Sequence, residues 1–220
     1  MRINKYLAQA VGMSRRTADK AVGSGRVQVN GVPASPGTDV AATDSVTFNG
    51  RVVALPANTM TIMLNKPAGY VVSRDGQGSR TIYELLPPEL HKLKPVGRLD
   101  KNSSGLLLLT NDGKLAHELT HPSFQKTKVY EVELDKPLEP LHRQMISDHG
   151  VMLEDGNSKL QLERLSENND KAWRITMHEG RNRQIRRTLQ SLGYDVTKLH
   201  RTHFGTYSLG SLETGRIQEL

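Results

Sequence analysis

Cysteine is absent from the 220 residues. That excludes disulfides and every zinc site built on thiolates. No run of apolar residues is long enough to span a bilayer, the longest candidate being Leu106 to Leu109. Nothing after Met1 has the continuous apolar core of a signal peptide. There is no G-x-x-x-x-G-K-[ST] loop for a nucleotide phosphate and no G-x-S-x-G nucleophile elbow. Gly76-Gln77-Gly78 lacks the third glycine and the following helix of a dinucleotide site. The expectation is a cytoplasmic protein with no membrane contact and no nucleotide cofactor.

Negative charge is also scarce, in two places. The chain carries a formal +7. Residues 1–31 hold six basic side chains against Asp19 alone, and residues 181–203 hold six against Asp195 alone. Each segment is +5, so everything else is net acidic at −3. Basicity placed in this way points to nucleic acid. Neither segment is a long amphipathic helix with bulky aromatic anchors, so a membrane is the poorer partner.

The spacing of Ile3, Leu7, Ala10 and Val11 predicts a helix ended by Gly12. Ser14 stands as an N-cap before a second helix over Arg15–Val22, stopped by Gly23 or Gly25. Two stretches, Arg26–Val32 and Val46–Val53, alternate apolar and polar around Asn-Gly turns and predict hairpins. The two helices put Lys5, Arg15, Arg16 and Lys20 where a phosphate backbone can be tracked. Leu55–Thr59 is polar, carries Pro56 and separates two strand patterns. It divides the chain into a small α/β module, 1–55, and a second domain, 56–220.

In that second domain strands are predicted at Thr61–Asn65, Tyr70–Ser73, Leu106–Leu109, Val129–Leu134, Leu160–Leu165, Ala172–Met177 and, as a closing strand, Val196–Phe204. Helices are predicted at Ile82–Leu86, Lys114–Thr120, Leu138–Ile146 and Gly180–Leu192, the last with Gly193 as its C′ residue. Helices and strands intermix without a βαβ beat, so the class is α+β.

Two stretches invite a chemical reading. His117-Glu118-Leu119-Thr120-His121 fits the H-E-x-x-H zinc pattern. Pro122 biases His121 away from helical dihedrals, however, so the two imidazoles are not expected to share a face, and no third ligand follows. The other stretch is Val96–Gly113, in which a polar knot from Arg98 to Ser104 hangs off the buried Leu106–Leu109 strand. Asp100 lies in that knot, where a rigid element can hold a reactive carboxylate. An arginine at the start of the last helix (Arg183, Arg186 or Arg187) could keep it ionised. An ionised carboxylate held against a ribose suits attack or charge stabilisation at an anomeric carbon. Tyr130 on a nearby strand offers a ring for a detached base.

These landmarks, taken in order, resemble the RsuA-type family of bacterial RNA pseudouridine synthases over essentially the whole chain. They are Asn65-Lys66-Pro67-Ala68-Gly69, Gly97-Arg98-Leu99-Asp100, Ser104–Gly113, Lys128-Val129-Tyr130 and Glu179–Arg187. Residues 1 to about 50 look like an RNA-binding module shared with a ribosomal protein. The resemblance implies a catalytic domain on a mixed, largely antiparallel sheet flanked by helices. It implies isomerisation of uridine in ribosomal RNA or a pre-ribosomal particle without metal or small-molecule cofactor; the expected state is a monomer. Asp100 would open the N1–C1′ bond, Tyr130 would stack on the uracil, and Arg186 would pair with Asp100, with Arg183 as second candidate. Arg98 would support the flipped nucleotide or fill the space it leaves, and Arg183, Gln184 and Arg187 would meet RNA. Where many relatives carry a histidine before the glutamine of the last motif, this chain has Arg183. The competing readings are a catalytically silent RNA-binding or ribosome-assembly factor on the same fold and the metalloprotease.

Overall fold

The side chains of Leu106, Leu107, Leu108 and Leu109 are all fully shielded from solvent, and the sheet that shields them organises the larger part of the molecule. The computed structural model describes every residue from Met1 to Leu220. Its elements in chain order are α1 (Ile3–Ala10), α2 (Arg15–Gly23), β1 (Val27–Val29), β2 (Val32–Pro33), β3 (Val46–Phe48), β4 (Arg51–Val53), β5 (Thr61–Lys66), β6 (Lys94–Pro95) and β7 (Ser104–Thr110). There follow α3 (Gly113–Thr120), β8 (Lys128–Leu134), α4 (Pro140–Gln144), β9 (Val151–Leu153), β10 (Gly156–Ser158), β11 (Gln161–Arg164) and β12 (Ala172–Met177). The last are α5 (Gln184–Gln190), β13 (Val196–Phe204), β14 (Tyr207–Ser208) and β15 (Ile217–Glu219). No helix is long and apolar enough to cross a membrane.

The first four strands form an antiparallel sheet in the order β2-β1-β3-β4. Its two hairpins turn on Asn30-Gly31 and Asn49-Gly50, all four at positive φ, the geometry that matches strand twist. Ser14 caps α2 by accepting from the Thr17 N–H at 3.0 Å. At the other end the Gly25 N–H reaches Val22 O and the Arg26 N–H reaches Ala21 O. Gly25, at φ +72°, is therefore the C′ residue that stops the helix. Ile3, Leu7, Ala18, Val22, Val27 and Val46 close a separate small core.

The second sheet runs β11-β12-β8-β13-β7-β5-β15, with β14 beside β13 and β6 beside β7. Only β13 and β7 pair in parallel, so the sheet is mixed and largely antiparallel, as expected. One face of β7 gives Leu107 and Leu109 to the main core, with Val132, Trp173 and Ile175. The other gives Leu106 and Leu108 to a second core with Val96, Leu119 and Phe204. Burial on both faces is why this strand is an uninterrupted apolar run.

Several elements differ from expectation. Val196–Phe204 lies in the sheet's interior between β8 and β7, and the edge belongs to β15, too short to leave a pattern. Tyr70–Ser73 makes only one bridge, Val71 to Thr81. The helix predicted from Pro137's neighbour Leu138 to Ile146 is α4, continued by a π-helical turn over Met145–His149. The last helix starts only at Gln184, because Arg183 is left-handed at φ +46°. Its far end follows the sequence: the Gly193 N–H reaches Gln190 O, and the Tyr194 N–H reaches Leu189 O, which makes Gly193 the C′ residue.

Candidate active site

The polar knot before β7 is held by its backbone. Asp100 O accepts from the Ser103 N–H at 3.1 Å and from Lys66 Nζ at 3.2 Å. Lys101 O accepts from the Gly69 N–H at 2.7 Å. Asn102 O accepts from Arg186 Nη2 at 2.9 Å, and Ser103 O from Lys66 Nζ at 2.7 Å. Four consecutive carbonyls are thus secured largely from β5, the loop after it and α5. Leu99, buried in the main core, anchors the knot from below. The Asp100 side chain is left free of this scaffolding and remains 36% exposed.

Lys66 is the residue that sequence reasoning missed. It is fully buried and donates to three carbonyls, the third being Pro67 O at 2.9 Å. Burial pushes its pKa down to about 8, while the Asp100 charge pulls the other way. The signal was present, a lone basic residue at the end of the apolar run Ile62-Met63-Leu64, but only the fold shows what it grips.

The arginines divide their work differently from expectation. Arg183, not Arg186, lies within ion-pair distance of Asp100, with Nη1 3.5 Å from Oδ2. The left-handed backbone at Arg183 takes it out of the helix, so it leaves the chain in a different direction from Arg186. Arg186 instead spans Asn102 O and Val196 O, the latter at 2.7 Å. Burial, then repulsion from Arg183, lowers its pKa, and Asp100 partly offsets both. Arg187 is engaged by Asp155, bidentate at 2.7 and 3.1 Å. Arg181 adds Asp155, Gly156 O and Asn157 O. These pairs tie the β9–β10 turn to the loop before α5. Gln184 is 2% exposed and bonds Ser158 Oγ and the Glu179 carboxylate. Gln184 and Arg187 are therefore engaged inside the protein rather than displayed for RNA, because the β9–β10 turn supplies their partners.

Tyr130 is 8% exposed and packs in the main core. Cross-strand register aligns Tyr130 with Arg201 and Arg201 with Gly105. At about 4.8 Å per strand, Tyr130 and Gly105 are about 10 Å apart. The ring and the Asp100 knot thus belong to the same end of the sheet. Gly105 is obligatory there: it sits at φ +104°, and a Cβ would come within 2.2 Å of Arg201 O. Arg98 is exposed beside Asp100.

Lys5, Arg15, Arg16 and Lys20 are all exposed on α1 and α2. His121 leaves the helix as Pro122 dictates, with φ −72° and ψ 130°. Its ring nevertheless lies 4.8 Å from that of His117, contrary to the expectation that the two would diverge. The turn Pro122–Phe124 folds back, His121 Nδ1 accepts from the Ser123 N–H, and Phe124 packs edge-on against both rings. No three His, Asp or Glu side chains cluster at metal-ligand spacing.

Residues 60–191 match the family model described as RNA pseudouridylate synthase, and residues 1–46 match that of the S4 domain. The chain is 34% identical to the ribosomal large subunit pseudouridine synthase B of Bacillus subtilis, over all of this chain and 91% of that one. It is 38% identical to the protein of that name from Xanthomonas campestris, over 94% of this chain. It spans only 44% of the length of that relative. A solved structure titled "Crystal structure of pseudouridylate synthase" superposes with a TM-score of 0.72 at 32% identity, covering 100% of this chain and 96% of that one.

Proposed function

The chain belongs to the RNA pseudouridylate synthase family and carries an S4 domain at its N-terminal end, and from that membership we propose that it isomerises uridine to pseudouridine in ribosomal RNA. The names of its relatives favour RNA of the large subunit. The observation that carries the reading is the half-exposed Asp100 carboxylate, carried on a knot whose backbone carbonyls are pinned and paired with Arg183 at 3.5 Å. We take residues 1–55 as the RNA-binding module and 56–220 as the catalytic domain, acting as a monomer in the cytoplasm without cofactor.

The target uridine is flipped out of its stack, and Arg98 supports the displaced nucleotide. Arg183 sets its positive charge beside the Asp100 carboxylate, which is placed to act at C1′ as the N1–C1′ bond breaks. The freed uracil stays against Tyr130, turns, and bonds to C1′ through C5. C5 then gives up its proton and N1 gains one, so atoms and charge balance. A ring that stacks on the detached base helps to retain it while this happens. Arg186 acts one step back, by fixing Asn102.

Asp100→Asn keeps the shape of the side chain and removes its charge. It is expected to bind RNA as the parent does and to form no pseudouridine, measured by sequencing-based mapping of a modified rRNA fragment. Appreciable turnover by this variant overturns the role of Asp100. A silent assembly factor would show no isomerisation by the parent either.

A further inference from the structure

Lys94, on β6 of the larger domain, reaches across to the N-terminal module. Its ammonium donates to Ala8 O at 2.8 Å and Met13 O at 2.7 Å, around the C-terminal end of α1, where helix carbonyls lack partners. Beside this contact lies a cavity of about 580 Å³. Ser14, Arg15 and Thr17 line it from the module, and Arg74, Tyr83 and Lys94 from the larger domain. No acidic residue lines it.

The three cations have neutral partners. Arg15 donates to Asn4 Oδ1 at 3.3 Å, and Arg74 to His91 O at 2.6 Å. The Arg74 guanidinium lies over the Tyr83 ring, 4.6 Å from its centroid. Burial and then repulsion from Arg74 lower the Lys94 pKa. Like charges gathered at a partly buried seam repel one another, and an anion among them offsets that cost. The seam also leads to the reaction site. β6 runs into Gly97-Arg98-Leu99-Asp100, and the six residue steps from Lys94 to Asp100 span at most about 22 Å.

We propose that this cleft binds one phosphodiester of the substrate RNA, pinning the strand where the module meets the catalytic domain. The proposal rests on the RNA reading given above and adds a place and a set of side chains to it. A phosphate held by both domains also fixes the angle at which the module presents its own exposed cations.

The test is binding of a large-subunit rRNA fragment by the full chain across 50–200 mM KCl, comparing the parent with Arg74→Gln and Arg74→Lys. Losing one phosphate contact lowers the slope of log K against log salt by about 0.7. Arg74→Gln is expected to show that loss, with affinity down about tenfold, the size of a charge-assisted hydrogen bond. Arg74→Lys is expected to keep the parent's slope. Ethylation interference is expected to mark one phosphate whose modification weakens the parent and leaves Arg74→Gln unaffected. An unchanged slope in Arg74→Gln, or an equal loss in Arg74→Lys, overturns the proposal, the second because it assigns Arg74 to packing on Tyr83. A parent that neither binds nor isomerises the RNA overturns the functional reading itself. A parent that does both, beside an unchanged Arg74→Gln slope, overturns the cleft alone.

Discussion

Lys66 can donate to three carbonyls only while it is an ammonium; as an amine it has two protons to give. Its pKa of about 8 therefore puts a titration of the Asp100 scaffold near neutral pH. The turnover rate is expected to fall as pH rises through about 8, read from a kcat–pH profile on saturating RNA, and a profile flat to pH 10 contradicts this. Stability moves the other way. The folded pKa is depressed from 10.5, so between about 8 and 10.5 the unfolded chain holds a proton that the native chain has released, and this group makes stability rise with pH. Urea denaturation across that window is expected to show the rise in the parent and not in Lys66→Met. Nothing local in Asn65-Lys66-Pro67 shows that the side chain turns inward. Asp100 itself was legible, because an acidic residue in a polar knot beside a buried strand is conspicuous. Its partner was not, since the choice between Arg183 and Arg186 turned on one left-handed residue.

At the level of elements, β7 decides the geometry of the site because its first residues, where the Asp100 knot ends, enter the sheet parallel to β13. Ser104 and His200 meet there, Oγ to Nδ1 at 2.9 Å, and one residue later Gly105 lies against the Arg201 backbone. Gly105→Ala combines a forbidden φ with a collision between a new Cβ and a carbonyl. It is expected to cost about 3 kcal/mol or more and to lower kcat as well, because the strand must shift away from β13 and carry the knot with it. Denaturant unfolding and kinetics on the same preparation check both; a loss under about 1 kcal/mol would mean that the contact relaxes freely. The helices and hairpins were readable from local chemistry: Ser14 as N-cap, a glycine stop for α2 that the structure places at Gly25 and not Gly23, Gly193 as a C′ residue, and the two Asn-Gly turns. Strand neighbours were not readable. A run such as Val196–Phe204 records that it is buried, not which strands bury it.

Across the whole molecule, the two +5 segments do different things. In the N-terminal module Lys5, Arg15, Arg16 and Lys20 stay exposed, whereas in the C-terminal segment Arg181, Arg186, Arg187 and Arg201 are spent on carbonyls and carboxylates within the chain. Replacing Lys5, Arg16 and Lys20 together by Gln is therefore expected to lower the salt slope of RNA binding by up to about 2. The same titration series checks it, and an unchanged slope would remove the module's helices from the RNA contact. Net charge alone could not separate the segments, because a charge displayed and a charge spent count equally in a sequence. Composition, caps, turn residues and hydrophobic period follow from neighbours along the chain, so the sequence by itself determined the α+β class, most elements and the prominence of Asp100. Which arginine meets Asp100, what Lys66 holds and where Lys94 locks the module depend on residues far apart in sequence meeting in space. Only the tertiary structure decided those.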